Sequence, residues 1–168
     1  RGYRAFRKAI PGWVGEKLRV RKLVRRSLPN LRRDRIIFCS HHLSHACSAF
    51  YPSPFESAAV LTLDGVGEWA TTTYGVARGS SVRLLKQIRF PSSLGLIYSL
   101  VTQFTGFQVN GGEYKVMGLA PYGVPRFKDI LLAKVLDVRA DGSFQIDQKF
   151  VGYCDSLRMV NRNFEQLL

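Results

Sequence analysis

All three histidines of this 168-residue chain fall inside Ser40-His41-His42-Leu43-Ser44-His45-Ala46. Ser40 is a favourable N-cap, so the stretch predicts a helix running through the histidines towards Phe50. On that helix His41 and His45 stand four residues apart and share a face, where two imidazoles can reach one metal ion. The helix N-terminus disfavours a protonated ring, which keeps both histidines neutral and able to ligate. His42 points away from this pair, which predicts a supporting or packing role for it. Further along, Asp64 closes an apolar run and opens Asp64-Gly65-Val66-Gly67-Glu68. A strand-end carboxylate beside the histidine pair would complete a mixed nitrogen and oxygen ligand set, His41, His45 and Asp64. Such a set is typical of non-haem Fe(II), and Zn(II) accepts it as well.

Two glycine-rich stretches could add to such a site. Gly65 to Gly67 can be read as a plain hairpin connection. It can also be read as a turn whose N–H groups point into one concavity that suits phosphate oxygens. Asn110 to Gly123 holds Gly111, Gly112, Gly118 and Gly123, with Glu113 and Lys115 between apolar residues. That stretch is either a surface loop with a short helix or a loop that carries a carboxylate and an ammonium to a ligand.

The elements that would position these residues can be read in order. Tyr3, Phe6 and Ile10 form one apolar stripe that Pro11-Gly12 breaks, and Val14, Leu18, Val24 and Leu28 form a second that runs to Pro29-Asn30. Ile36 to Cys39 reads as a buried strand before the histidine helix. Ser57 to Asp64 is apolar enough to be a strand buried on both faces. Trp69 to Ala77 and Val82 to Ile88 continue it as an antiparallel meander, with a tight turn at Gly65 to Gly67. A capped helix follows from Pro91 towards Phe107, with Leu94, Ile97, Leu100, Val101 and Phe104 inward and Tyr98 at the core or its edge. Phe127 to Ala133 is predicted helical, Val135 to Arg139 and Phe144 to Ile146 form a hairpin, and a capped helix starts at Asp155. The pattern predicts an α/β fold, a mixed sheet with packed helices.

Charge is unevenly spread. The net +13 is concentrated in residues 1–35, where 13 Lys and Arg face only Glu16 and Asp34; residues 36–168 carry a net +2. Residues 1–35 thus read as a basic amphipathic helical segment and 36–168 as the domain proper. The segment either connects, with its cations solvated, or binds nucleic acid or acidic lipid through phosphates. Few aromatics interleave its cations for base stacking, which speaks against nucleic acid. No apolar run approaches the roughly 20 residues a membrane-spanning helix needs. Cys39, Cys47 and Cys154 show neither zinc-like nor disulfide-like spacing, which fits small buried hydrophobes in a cytoplasmic protein. The start at Arg1 and the end at Leu168 lead to the expectation that this is part of a longer protein.

Four ordered motifs carry a resemblance. His41-His42-Leu43-Ser44-His45-Ala46 with Ala49-Phe50, Asp64-Gly65-x-Gly67-Glu68, Ser93-x-Gly95-x-x-Tyr98, and Gly112-Glu113-x-Lys115-x-Met117-Gly118-Leu119-Ala120-x-Tyr122-Gly123 resemble the amino-terminal domain of the O-carbamoyltransferases. That family includes enzymes acting on nodulation factors, cephalosporins and aminoglycosides such as tobramycin. The resemblance implies part of an actin-like or sugar-kinase-like ATPase fold, incomplete in this chain. Related domains transfer threonylcarbamoyl to tRNA or carbamoylate a cysteine during hydrogenase maturation.

The resemblance further implies that a carboxy-terminal domain makes carbamoyl adenylate from ATP and carbamoyl phosphate, and that the present domain passes the carbamoyl group to a hydroxyl of a small-molecule or sugar acceptor. His41, His45 and Asp64 would bind the metal, usually iron. Gly65, Val66, Gly67 and Glu68 would line the adenylate or acceptor pocket, with Gly112, Glu113 and Lys115 as further nucleotide or substrate contacts and Glu68 as candidate general base. A fourth ligand, a second Asp, is expected from later chain, so the 168 residues alone are expected to be inactive. Two alternatives remain: carbamoyl-type transfer to tRNA or a protein thiol, and a non-catalytic basic nucleic-acid-binding module.

Overall fold

The computed structural model describes residues 2–168, apart from the side chains of residues 2–5, 8 and 9. Tyr3 of the first predicted stripe therefore lies outside the description. The chain opens with helix α1 (Gly2–Gly15) and, after a 3-10 turn, α2 (Val20–Ser27). The predicted break at Pro11-Gly12 does not occur: Pro11 sits inside α1, and the helix stops at Gly15 instead. A proline removes one ladder bond, which a helix can tolerate as a kink. Phe6, Trp13, Val14, Leu18 and Leu28 are exposed. The cations between them whose side chains are described are exposed too.

Ile36 to Cys39 does not form a strand. The four residues carry no regular structure and are unpaired, and Ile37 and Phe38 face solvent at 87% and 55% exposure. Apolar character alone supplies no ladder partner, and none stands beside this segment among the described residues. Cys39 is accordingly exposed, whereas Cys47 and Cys154 are half-buried; all three are free thiols.

Helix α3 (His41–Phe50) follows from Ser40, which has extended N-cap backbone but makes no side-chain cap bond. His42, Ala46 and Phe50 are its buried residues, a stripe at four-residue spacing that faces the sheet. That sheet is an antiparallel meander in the order β1 (Ser57–Gly67), β2 (Ala70–Arg78), β3 (Ser81–Arg89). Strand β1 lies at an edge and alternates, so the expectation of burial on both faces fails: Leu61 and Leu63 are 65% and 57% exposed, whereas Thr62 is buried. Register runs evenly from Ser57 opposite Arg78 to Leu63 opposite Thr72, then slips before Gly67 pairs with Ala70. The bulge lets pairing continue past the glycines. The tight turn consequently falls at Glu68-Trp69, later than predicted, and Glu68 takes the left-handed backbone at φ 62°.

Helix α4 (Leu94–Phe104) is capped by Ser93, whose hydroxyl oxygen accepts from the Leu96 N–H. It packs on β1, and Leu100 is fully buried in the main core with Val135, Phe144, Ile146, Phe150, Val151, Val160 and Phe164. Phe164 and Phe104 meet edge to face with ring centroids 5.4 Å apart. Short helices α5 (Glu113–Leu119) and α6 (Lys128–Lys134) precede the hairpin β4 (Leu136–Val138) and β5 (Phe144–Ile146). The predicted helix from Asp155 is replaced by turns and an isolated bridge between Val151 and Val160. A Cβ on Gly152 would lie 2.6 Å from the Arg158 carbonyl oxygen, so the chain doubles back closely there. Helix α7 (Arg162–Glu165) starts later, capped by Asn161. No helix among the described residues is long and apolar enough to cross a membrane.

Candidate metal centre

His41 and His45 lie side by side on the outer face of α3 because the inner stripe is taken by His42, Ala46 and Phe50. The Nε2 atoms of the two rings are 2.9 Å apart. Asp64 rises from β1 to meet them: its Oδ2 contacts His41 Nε2 directly and lies 3.5 Å from His45 Nε2. One ligand atom from each residue falls within 4.8 Å of the other two, and this is the one such grouping of three His, Cys, Asp or Glu among the described residues. Two imidazole nitrogens and a carboxylate oxygen are donor types that a divalent ion such as Fe(II) or Zn(II) accepts. The donor set therefore fits a divalent ion by its chemistry. Glu68 and Glu113 are not members of it.

Two constraints hold the carboxylate. Asp64 Oδ1 accepts from the Gly65 N–H at 2.6 Å. The buried Ser93 hydroxyl donates to the carbonyls of Asp64 and Gly65, at 3.1 and 2.6 Å. Burial pushes the Asp64 carboxyl up, but hydrogen bonds from His41 and the Gly65 N–H outweigh it and hold the group below its ordinary value. The carboxylate is thus ionised, as a ligand must be.

Gly67 explains itself through His41. A Cβ there would lie 2.2 Å from His41 Cδ2, so the ring occupies the space that a side chain would need. Glu68 is exposed and, with Gly67, Trp69, Gln87 and Arg89, lines a cleft of about 230 Å³ on the strand-turn side of α3. Gly65 is half-buried and Val66 is 39% exposed.

Gly112, Glu113 and Lys115 are held elsewhere. The Glu113 carboxylate accepts from the N–H groups of Asn110, Gly111 and Gly112, at 2.9, 3.0 and 3.2 Å, and from the Ser99 hydroxyl at 2.9 Å. The Asn110 N–H, followed by the Glu113 N–H and the Ser99 and Gly112 donors, prevails over burial and brings its pKa down to about 2. This carboxylate shapes its own loop, a role that composition did not separate from ligand binding. Because the folded value lies below the ordinary one, the stabilisation is complete above the ordinary carboxylate range and is lost as pH falls towards 2. Acid unfolding followed by circular dichroism is expected to show that loss, and Glu113→Gln to flatten it while lowering stability at neutral pH. Lys115 is exposed on α5.

Sequence reasoning did not find Ser93 as a support of Asp64, although its N-cap position was legible; the contact that matters is tertiary. Fold and site together define a mixed α/β domain that gathers two imidazoles and a carboxylate where a helix meets the end of a strand. This chain belongs to the carbamoyltransferase N-terminus family, whose pattern matches residues 1–168. It is 46% identical to an uncharacterized protein of Synechocystis over 99% of this chain and 28% of that protein. It is 42% identical to the nodulation protein NolNO of Sinorhizobium fredii over 67% of this chain and 16% of that protein. With the nodulation protein NolO of Bradyrhizobium diazoefficiens it shares 35% identity, over 67% of this chain and 20% of the relative. The chain thus spans less than a third of the length of these curated relatives.

Proposed function

We propose that this chain is the acceptor-side part of an O-carbamoyltransferase, passing a carbamoyl group from carbamoyl adenylate to a hydroxyl of a small-molecule or sugar acceptor. The observation that carries the reading is the convergence of His41, His45 and Asp64 in a member of the carbamoyltransferase N-terminus family. Those three residues would hold the ion, with Fe(II) preferred and Zn(II) accepted by the same donors. A divalent ion there would polarise the carbamoyl carbonyl and stabilise the charge that develops on it.

The chain's own residues supply the rest of the step. The acceptor oxygen attacks the carbamoyl carbon, the bond from that carbon to the adenylate phosphate oxygen breaks, and AMP leaves with the electron pair. The hydroxyl proton passes to the Glu68 carboxylate, which the turn presents to solvent beside Gly67. Gly65, Val66 and Gly67 would border the adenylate or acceptor. Gly112, Glu113 and Lys115 would act on the nucleotide through the loop that Glu113 organises. The helix-flanked antiparallel meander supports membership of an actin-like or sugar-kinase-like ATPase fold, completed by chain outside these 168 residues. ATP and carbamoyl phosphate would be consumed by an adenylate-forming domain in that further chain. Residues 1–35 would then be a connecting segment ahead of the domain.

In a full-length family member, Asp64→Asn is expected to abolish carbamoyl transfer from ATP and carbamoyl phosphate to a hydroxyl acceptor. Glu68→Gln is expected to lower it by about 10²–10⁴-fold. Full transfer by Glu68→Gln would remove the base assignment, and full transfer by Asp64→Asn the metal centre with it. Turnover of both substrates by the 168 residues alone would contradict the division of labour.

A further inference from the structure

His42 sits between the two ligand histidines in sequence and is buried, 4% exposed. Its Nε2 lies 2.9 Å from the carbonyl oxygen of Ala70 on β2. A carbonyl only accepts, so Nε2 donates there. Nδ1 is hydrogen-bonded to the Thr62 hydroxyl on β1, at 2.6 Å. Thr62 Oγ1 is hydrogen-bonded in turn to Thr73 Oγ1 on β2, at 2.7 Å. Thr62 and Thr73 are directly paired across the two strands, and both are buried. Hydrogen bonds thus link three side chains, Thr73, Thr62 and His42, to the Ala70 carbonyl.

Apart from His41, no other side chain of α3 hydrogen-bonds to the sheet among the described residues. The apolar members of the inner stripe, Ala46 and Phe50, resist lifting of the helix but tolerate rotation and sliding, because apolar contact is non-directional. The two bonds of His42 are directional, one to each of two strands. Thr62 also lies two residues before Asp64 on β1, so the strand that anchors His42 carries the carboxylate ligand.

We propose that the Thr73–Thr62–His42 chain is a positioning element for the metal centre: it sets the rotation and height of α3 against β1 so that His41 and His45 reach Asp64. His42 is not one of the three grouped residues, and it acts on them from α3. This rests on the reading of His41, His45 and Asp64 as a metal site. It adds that ligand geometry depends on a buried hydroxyl two residues from the carboxylate.

The test uses Co(II) as the probe, titrated into the 168-residue chain and followed by its visible absorption. Wild type is compared with Thr62→Val, Thr73→Val, His42→Phe and His41→Ala, each checked for folding by circular dichroism. Thr62→Val keeps the side-chain shape but cannot hydrogen-bond to His42. It is expected to weaken Co(II) binding by about 10–100-fold and to shift the Co(II) spectrum. Thr73→Val leaves both His42 bonds in place and is expected to do less. A folded Thr62→Val chain with wild-type affinity and spectrum, merely less stable to heat, overturns the proposal even if His42→Phe fails to fold. Absence of Co(II) binding by wild type overturns the metal reading instead, and the positioning role with it; binding that His41→Ala abolishes keeps the two cases apart.

Discussion

Gly67→Ala is expected to destroy metal binding while leaving the chain folded. The added methyl would stand 2.2 Å from His41 Cδ2, 2.7 Å from Cγ and 2.9 Å from Nε2, inside the imidazole itself. Gly67 is paired with Ala70 in the sheet and cannot retreat. The His41 side chain is 42% exposed and can swing into solvent at small cost. The collision is relieved by the movement that removes a ligand. Affinity for Zn(II) or Co(II) is expected to fall by more than about a hundredfold, beyond what loss of a supporting contact costs. Circular dichroism and the thermal midpoint should change little. Wild-type affinity in Gly67→Ala would show that His41 binds nothing at that position.

Gly95→Ala is expected to act in the opposite way, on stability first. Its Cβ would lie 2.6 Å from the Asp64 carbonyl oxygen and 2.7 Å from both the Asp64 carbonyl carbon and the Gly65 nitrogen. These are backbone atoms of β1 and have no rotamer to escape into. The start of α4 must withdraw, which breaks the Ser93 bonds to the Asp64 and Gly65 carbonyls. Overpacking of this kind costs about 3 kcal/mol. For a chain of this size that lowers the thermal midpoint by roughly 6–12 °C. Gly65→Ala is the contrast: its Cβ would meet only Leu96 Cδ2, at an ordinary 3.7 Å. An unchanged midpoint in Gly95→Ala would mean that α4 does not seat against β1 as described.

What could be read beforehand was what depends on local geometry. Four-residue spacing brings His41 and His45 together on any helix, and the same periodicity turns His42 to the other side. The meander, the Ser93 cap and the short hairpin were legible because alternation and turn residues act over a few positions. The failures share one cause: the deciding partner lies far away in sequence. Ile36 to Cys39 has strand composition but no strand to pair with. Ser57 to Asp64 is apolar enough for two buried faces, yet nothing among the described residues covers the outer face of the sheet, and Leu61 and Leu63 on β1 are exposed there with Tyr74 and Val76 of the central strand. The turn moved from the glycines to Glu68-Trp69 because a bulge extended the pairing. Asp155 looked like a helix cap, but the Val151–Val160 bridge delayed that helix to Asn161. At the site, the histidine pair and the strand-end Asp64 were legible as residues that could come together, whereas the need for Gly67 and Ser93 became visible only through what they touch.

If His41, His45 and Asp64 form one divalent metal centre, anaerobic Fe(II) titration of the chain, repeated with His41→Ala, His45→Ala and Asp64→Asn and with folding followed by circular dichroism, will reveal it. Wild type is expected to bind close to one ion per chain, and none of the three variants to bind tightly while each remains folded. A folded wild-type chain indifferent to Fe(II) and to Zn(II), or one whose binding survives all three substitutions, would contradict that centre.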